Sequence, residues 1–149
     1  MARIKIELPS TFTFSTIIPI RITDLNYGGH VGNDKILSLI HEARIQFLAS
    51  FGYSELNLAG VATIMGDVAI SYKSEVFYGD HLRIYVTVKD ISKVSFTLYY
   101  KLEKESEEKI IPVAHAQTGM VCFDYERKKI TSIPEEALLT WRKKVTLKN

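Results

Sequence analysis

Cysteine occurs once in these 149 residues, at Cys122, and a single thiol excludes an internal disulfide and any cysteine-rich zinc site. The four histidines, His30, His41, His81 and His115, lack clustered ligand spacing, so neither a metal nor another cofactor is expected. An excess of one charge is missing as well. The 19 Lys and Arg against 17 Asp and Glu leave a formal +2 spread along the chain, and no basic stripe argues for nucleic acid. No stretch approaches about 18 continuous apolar residues, and the opening MARIKIELPS holds no apolar signal segment. A soluble, cytoplasmic protein with no membrane attachment is the expectation. There are no repeats, linkers or low-complexity segments. A hydrophobic content of 46% supplies one core, so a single domain is expected over residues 1–149.

What is present is a hydrophobic pattern that changes period once and changes back. Phe14 to Thr23 (FSTIIPIRIT) is rich in β-branched residues and reads as a strand, with Pro19 marking an edge or a bulge. From about Asn33 to Phe51, Ile36, Leu37, Ile40, Ala43, Phe47 and Leu48 recur at spacings of three and four, and Gly52 follows as a stop signal. That helix is apolar on more than one face. Leaving Leu39 and Ile45 in water would forfeit roughly 1.5 to 3 kcal/mol each, so a sheet is expected to wrap it.

The period then returns to two, in strands expected at Asp67 to Lys73, Leu82 to Val88, Val94 to Leu102 and about Ile110 to Asp124. Glu103 to Lys109 reads as a solvated hairpin tip, and Pro112 as the bulged or unpaired start of the last long strand. Ala114, Ala116, Thr118, Met120 and Cys122 share one face there, several of them small enough to let a helix approach. Pro134 followed by Glu135 and Glu136, with Lys143 and Lys144 further on, predicts a short C-terminal helix. The sum is an α+β architecture, a curved antiparallel sheet around one long central helix.

The chemistry is concentrated just before that helix, in DLNYGGHVGND, Asp24 to Asp34. Five segments occur in order: Arg21, then DLN-x-x-GHV-x-N over Asp24 to Asn33, HEAR at His41 to Arg44, YGD at Tyr78 to Asp80, and AHAQTGMVCFD at Ala114 to Asp124. In these the chain resembles the hotdog-fold acyl-CoA thioesterases of the 4-hydroxybenzoyl-CoA thioesterase type from about Ile18 to Pro134. Plant acyl carrier protein thioesterases share a similar loop. The resemblance implies the hotdog fold, hydrolysis of an acyl-CoA or acyl carrier protein thioester, and a site lying between subunits of a homodimer or homotetramer.

Thioester hydrolysis needs a polarised carbonyl and a positioned water or nucleophile, and the free N–H groups of a helix N-terminus can supply the first. On this reading the backbone N–H of Asn33, Gly32 or Asp34 meets the thioester oxygen, while Gly28, Gly29 and Gly32 let the backbone come close. One position departs from the family. Its catalytic carboxylate usually fills the second acidic place of a D-x-D pair, where this chain has Asn26, and an amide cannot act as base. His30 then becomes the leading base, because imidazole titrates near neutral pH. Asn26 is left to orient a water, and Asp24, Asp34 and Glu42 are further candidates. Glu42 matches a helix glutamate common in the family. Lys93, or Lys73 or Arg83, would meet the phosphates of coenzyme A.

Plainer readings stand beside these. Asp24 and Asn26 can simply shape the turn, His30 can be structural, and Asn33 is a good N-cap under any function. Glu42 and Arg44 can belong to a polar network. Asp34, Ser38 and His41 share a helical stripe and mimic a triad, but a mid-helix serine lacks the strained elbow that exposes a nucleophile. Two other functions remain open: a non-catalytic acyl-CoA-binding protein, consistent with Asn26, and an enoyl-CoA hydratase. The hydratase motif D-x-N-P-x-H fits less well, since Tyr27 replaces its proline and His30 lies one residue too far along.

Overall fold

The computed structural model describes residues 3–148; Met1, Ala2 and Asn149, and the side chains beyond Lys144, lie outside the described residues. The elements follow in the order β1 (Phe14–Pro19), α1 (Asn33–Ala49), β2 (Ala62–Tyr72), β3 (His81–Lys89), β4 (Ser95–Ser106), β5 (Lys109–Asp124), β6 (Lys129–Ile130) and α2 (Glu135–Lys148). The sheet order is β1-β3-β4-β5-β2, antiparallel throughout, with β6 beside the end of β5. This is the expected hotdog arrangement, a long helix held in an antiparallel sheet. Among the described residues no helix is long and apolar enough to cross a membrane.

Alternation builds the sheet's inner face. Leu82, Ile84 and Val86 of β3, Phe96, Leu98, Tyr100 and Leu102 of β4, and Ala114, Ala116, Met120 and Cys122 of β5 are all buried. Ile36, Leu39, Ile40, Ala43, Phe47 and Leu48 of α1 enter the same core. Ala114 and Ala116, with no exposed surface, give the close approach expected of β5. The wrapping is one-sided, however. Leu39 is buried, but Ile45 remains 40% exposed, so the helix face turned from the sheet is only partly covered by the described residues.

Several boundaries move. β2 starts five residues before the expected Asp67, carried past a bulge between Met65 and Asp67. The Asp67 carboxylate folds back there onto the Gly119 N–H at 3.0 Å. β4 and β5 run on through the charged stretch expected as a tip, leaving only Glu107 and Glu108 in the turn, both at positive φ. Long polar side chains suit a two-sided ribbon extending into water, so charge alone did not mark the turn. Pro112 is paired, opposite Glu103, and the bulge beside it absorbs Val113. Pro19 ends β1, which is an edge strand. Val94 lies just outside β4. The chain before β1 also crosses the outer face, where Phe12 packs on Tyr85 at 5.9 Å and Lys101 Nζ sits 4.5 Å from the Tyr85 ring. α2 is longer than expected and buries Trp141 against Phe96 at 4.9 Å.

Candidate active site

The loop ahead of α1 is a miniature hairpin whose shape follows from its residue types. Asn26 Oδ1 accepts the Gly28 N–H at 2.9 Å, an Asx turn, and the Gly29 N–H donates to the Asn26 carbonyl at 3.1 Å. Gly29 sits at φ +85°, which a side chain would strain. The Asn26 N–H then closes onto the His30 carbonyl at 2.9 Å, and Leu25 bridges Val31. Asp24 stands below this turn, buried, with Oδ2 accepting the Arg21 N–H at 2.8 Å. Its carboxylate holds the short turn before the loop.

The hairpin sets three groups at the start of α1. His30 Nδ1 lies 3.1 Å from the Val31 carbonyl; a carbonyl only accepts, so Nδ1 carries the proton and Nε2 is left as the acceptor nitrogen. The Asn26 amide and the Asp34 carboxylate converge over Gly32, where an added methyl would stand 2.7 Å from Asp34 Oδ1 and 3.7 Å from Asn26 Nδ2. Gly32, rather than Asn33, is the N-cap, and no side chain caps the helix. The loop reaches the helix too tightly for Asn33 to sit outside the first turn. Both Lys35 and Ile36 donate to the Gly32 carbonyl, which leaves the N–H groups of Asn33 and Asp34 without an acceptor inside the helix.

A cavity of about 360 Å³ opens on this terminus, lined by His30, Asn33 and Ile36 on one side and by Tyr72, Lys73 and Glu75 on the other. The Tyr72 hydroxyl donates to the Asn33 carbonyl at 3.1 Å; burial, and then the Asp34 carboxylate, raise its pKa above the ordinary phenol value, so it remains a donor. Across the cavity Glu75 Oε1 lies 4.0 Å from His30 Nε2. Sequence reasoning missed Glu75, since it falls between the end of β2 and YGD, in a stretch with no motif. The Val31 N–H to Val76 carbonyl bond at 2.8 Å brings that segment to the loop.

Asn26, His30, Asn33, Asp34, Gly28, Gly29 and Gly32 are thus brought together, and three other candidates, Asp24, Glu42 and Lys93, are not. Glu42 lies eight residues beyond Asp34, about 12 Å along the helix axis. Its Oε2 accepts from Gln46 at 2.9 Å, and it lines a separate cavity with Arg21, Asp24, Lys35 and Ser38. Lys93 is in the β3–β4 connection, a full strand length from the loop within the chain, roughly 27 Å at 3.3 Å per residue. Arg44, which neighbours Glu42, is buried and donates from Nε to Glu55 Oε1 at 2.9 Å, while Tyr100 and Met65 flank its other end. His41 Nε2 meets the same Glu55 oxygen at 2.9 Å, turned from Ser38 and Asp34, so the mimicked triad does not form. Cys122 is a buried core residue, its thiol pushed up to about 11 by burial. Among the described residues no group of three or more His, Cys, Asp or Glu could hold a metal ion.

Residues 20–141 match the sequence profile of the thioesterase-like superfamily. The chain belongs to that superfamily. A 1,4-dihydroxy-2-naphthoyl-CoA hydrolase of Microcystis aeruginosa is 31% identical over 119 residues, covering 78% of this chain and 83% of the relative. Among solved structures, a 1,4-dihydroxy-2-naphthoyl-CoA thioesterase from Synechocystis superposes with a TM-score of 0.74 at 23% identity, covering 89% of this chain and 95% of that one. The 4-hydroxybenzoyl CoA thioesterase from Pseudomonas sp. strain CBS-3 gives 0.75 at 17%, covering 85% and 97%. The fold and the resemblance expected from the loop motifs both stand, and this member of the superfamily is a thioester hydrolase.

Proposed function

We propose that the protein hydrolyses acyl-CoA thioesters at the N-terminus of α1, with His30 as base and the Asn33 and Asp34 N–H groups receiving the thioester oxygen. The observation that carries this reading is one cavity holding both an imidazole with a free acceptor nitrogen and a helix terminus with open donors. His30 Nε2 takes a proton from water as the water oxygen attacks the thioester carbon. The oxygen that gains charge is met by backbone N–H groups already in place, which cost no reorganisation. The proton passes from His30 to the departing sulfur, and free acid and thiol leave. Asn26, its Oδ1 engaged by Gly28, presents Nδ2 toward the same terminus and serves as an additional donor rather than a base.

The assembly follows from the edges of the sheet. Past Thr63, whose N–H donates to the Glu55 carbonyl at 2.7 Å, no strand lies beside the outer edge of β2 among the described residues, and Ile64, Met65 and Val68 on it are 37%, 37% and 39% exposed. A long apolar edge of this kind calls for a partner, and a homodimer or homotetramer supplies one. Lys93 of one chain would then serve the cavity of another. One domain and a cytoplasmic location complete the reading, the latter supported by the lone reduced thiol.

The test is thiol release from aryl, short-chain and long-chain acyl-CoA substrates, with the two aryl thioesters named for the relatives first. Hydrolysis by the natural protein is expected, with His30→Ala lowering kcat by about 10²- to 10⁴-fold. Unchanged turnover in that variant removes His30 as the base. A folded protein that cleaves none of the panel points to a carrier-protein thioester or to binding without turnover.

A further inference from the structure

The site described so far has a base but no carboxylate to support it, since Asn26 is an amide at the place where the resemblance implies an acid. Asp34 is turned over Gly32, Asp24 is committed to the Arg21 backbone, and Glu42 lies along the helix in another cavity. Among the described residues, the carboxylate across from the free nitrogen of His30 is that of Glu75, at 4.0 Å. That separation is too long for a direct hydrogen bond, yet it lets a single water donate one hydrogen to Glu75 Oε1 and the other to His30 Nε2.

The backbone at Glu75 is fixed from several sides. Lys104 Nζ donates to the Glu75 carbonyl at 2.7 Å and to Asp80 Oδ2 at 3.0 Å, and that same oxygen accepts the Phe77 N–H at 2.9 Å. The next carbonyl, of Val76, takes the Val31 N–H, and Ser74 Oγ donates to the Pro112 carbonyl at 2.5 Å. A side chain that is 64% exposed thus extends from a backbone with little freedom and lines the cavity shared by His30 and Asn33. Solvent exposure alone would make Glu75 an ordinary surface residue. A pinned backbone, a shared cavity and the missing acid at Asn26 together give it a task.

We propose that Glu75 is the catalytic carboxylate of this enzyme, holding the attacking water jointly with His30 and stabilising the imidazolium formed when that water gives up its proton. The inference rests on the thioesterase reading and deepens it. The balance is that of simple hydrolysis: the water oxygen bonds to the thioester carbon, the carbon–sulfur bond breaks, His30 carries the proton to sulfur, and Glu75 is unchanged at the end.

The experiment compares Glu75→Gln, Glu75→Asp and Glu75→Ala with the natural protein in steady-state hydrolysis of the best acyl-CoA found. Glu75→Gln is expected to lower kcat by about 10²-fold with KM within roughly threefold, the loss belonging to the chemical step. Glu75→Asp should recover part of it, and added formate should rescue Glu75→Ala in proportion to its concentration. A kcat within twofold of natural in both Glu75→Gln and Glu75→Ala overturns the proposal. The ¹⁵N resonances of the His30 ring give a readout independent of turnover. They should move on Glu75→Gln, and ring resonances that stay in place sink the pairing. If the natural protein cleaves no thioester, the hydrolysis reading fails, and those resonances still decide whether Glu75 faces His30.

Discussion

An asparagine in the place of a catalytic acid looks like damage until its neighbours are counted. The Asp34 carboxylate reaches the space over Gly32 from one side and the Asn26 amide from the other. Two carboxylates there would repel and one would be forced toward its neutral form. An amide offers a donor to the same space without adding a second negative charge beside Asp34. Asn26→Asp is therefore expected to lower kcat, by about tenfold or more, rather than restore a stronger enzyme. Paired with Asp34→Asn, the aspartate should regain part of the loss; steady-state kinetics on the two single variants and the double variant measures the coupling. Those residue types, and the turn they make, were legible from DLNYGGHVGND. Their common focus on Gly32 was not, because spacing gives separation along the chain and not the direction in which an amide points.

At the scale of elements, α1 is held to its surroundings by more than its apolar stripe. Arg44 projects from it into the core with a side chain only 6% exposed, and Glu55, in the connection to β2, meets its Nε at 2.9 Å. Tyr100 OH, 3.4 Å from the guanidinium, lies 2.8 Å from Thr118 Oγ1 on β5, so helix, connection and two strands share one polar network. A buried cation without its anion is expensive. Glu55→Ala is expected to cost about 2 to 3 kcal/mol, read from the urea unfolding midpoint, although Glu55 touches no residue of the cavity. The polar network anticipated for Arg44 exists, but Glu42, its expected member, faces outward to Gln46. Glu55 had no periodic or motif signal, since it sits in the irregular chain between helix and strand. The bulge at Met65/Asp67 escaped the alternation for a related reason, because one inserted residue flips the pattern and a flipped pattern reads as an end, whereas the bulge at Val113 lies beside Pro112, which had marked an irregular start there.

At the scale of the whole molecule, β2 is a terminal strand of the sheet with partly exposed apolar side chains, and Ile45 on the outer face of α1 is 40% exposed. With Ile64→Lys and Val68→Lys together, light scattering should report the mass of one chain where two or four are expected of the natural protein, and hydrolysis should fall with assembly. Retention of both mass and activity would place the subunit contact elsewhere. At this scale the sequence by itself determined the order of elements, the switch from strand to helix period and back, the family, and the loop that carries His30, because all of these are written in neighbouring residues. Only the tertiary structure decided that Glu42 and Lys93 stand apart from that loop within the chain, that Gly32 caps the helix, and that Glu75 faces His30. Each depends on where segments far apart in the chain come to rest. The Val31 to Val76 hydrogen bond, between residues 45 positions apart, is of that kind, for no local pattern fixes which two backbones will meet across a folded core.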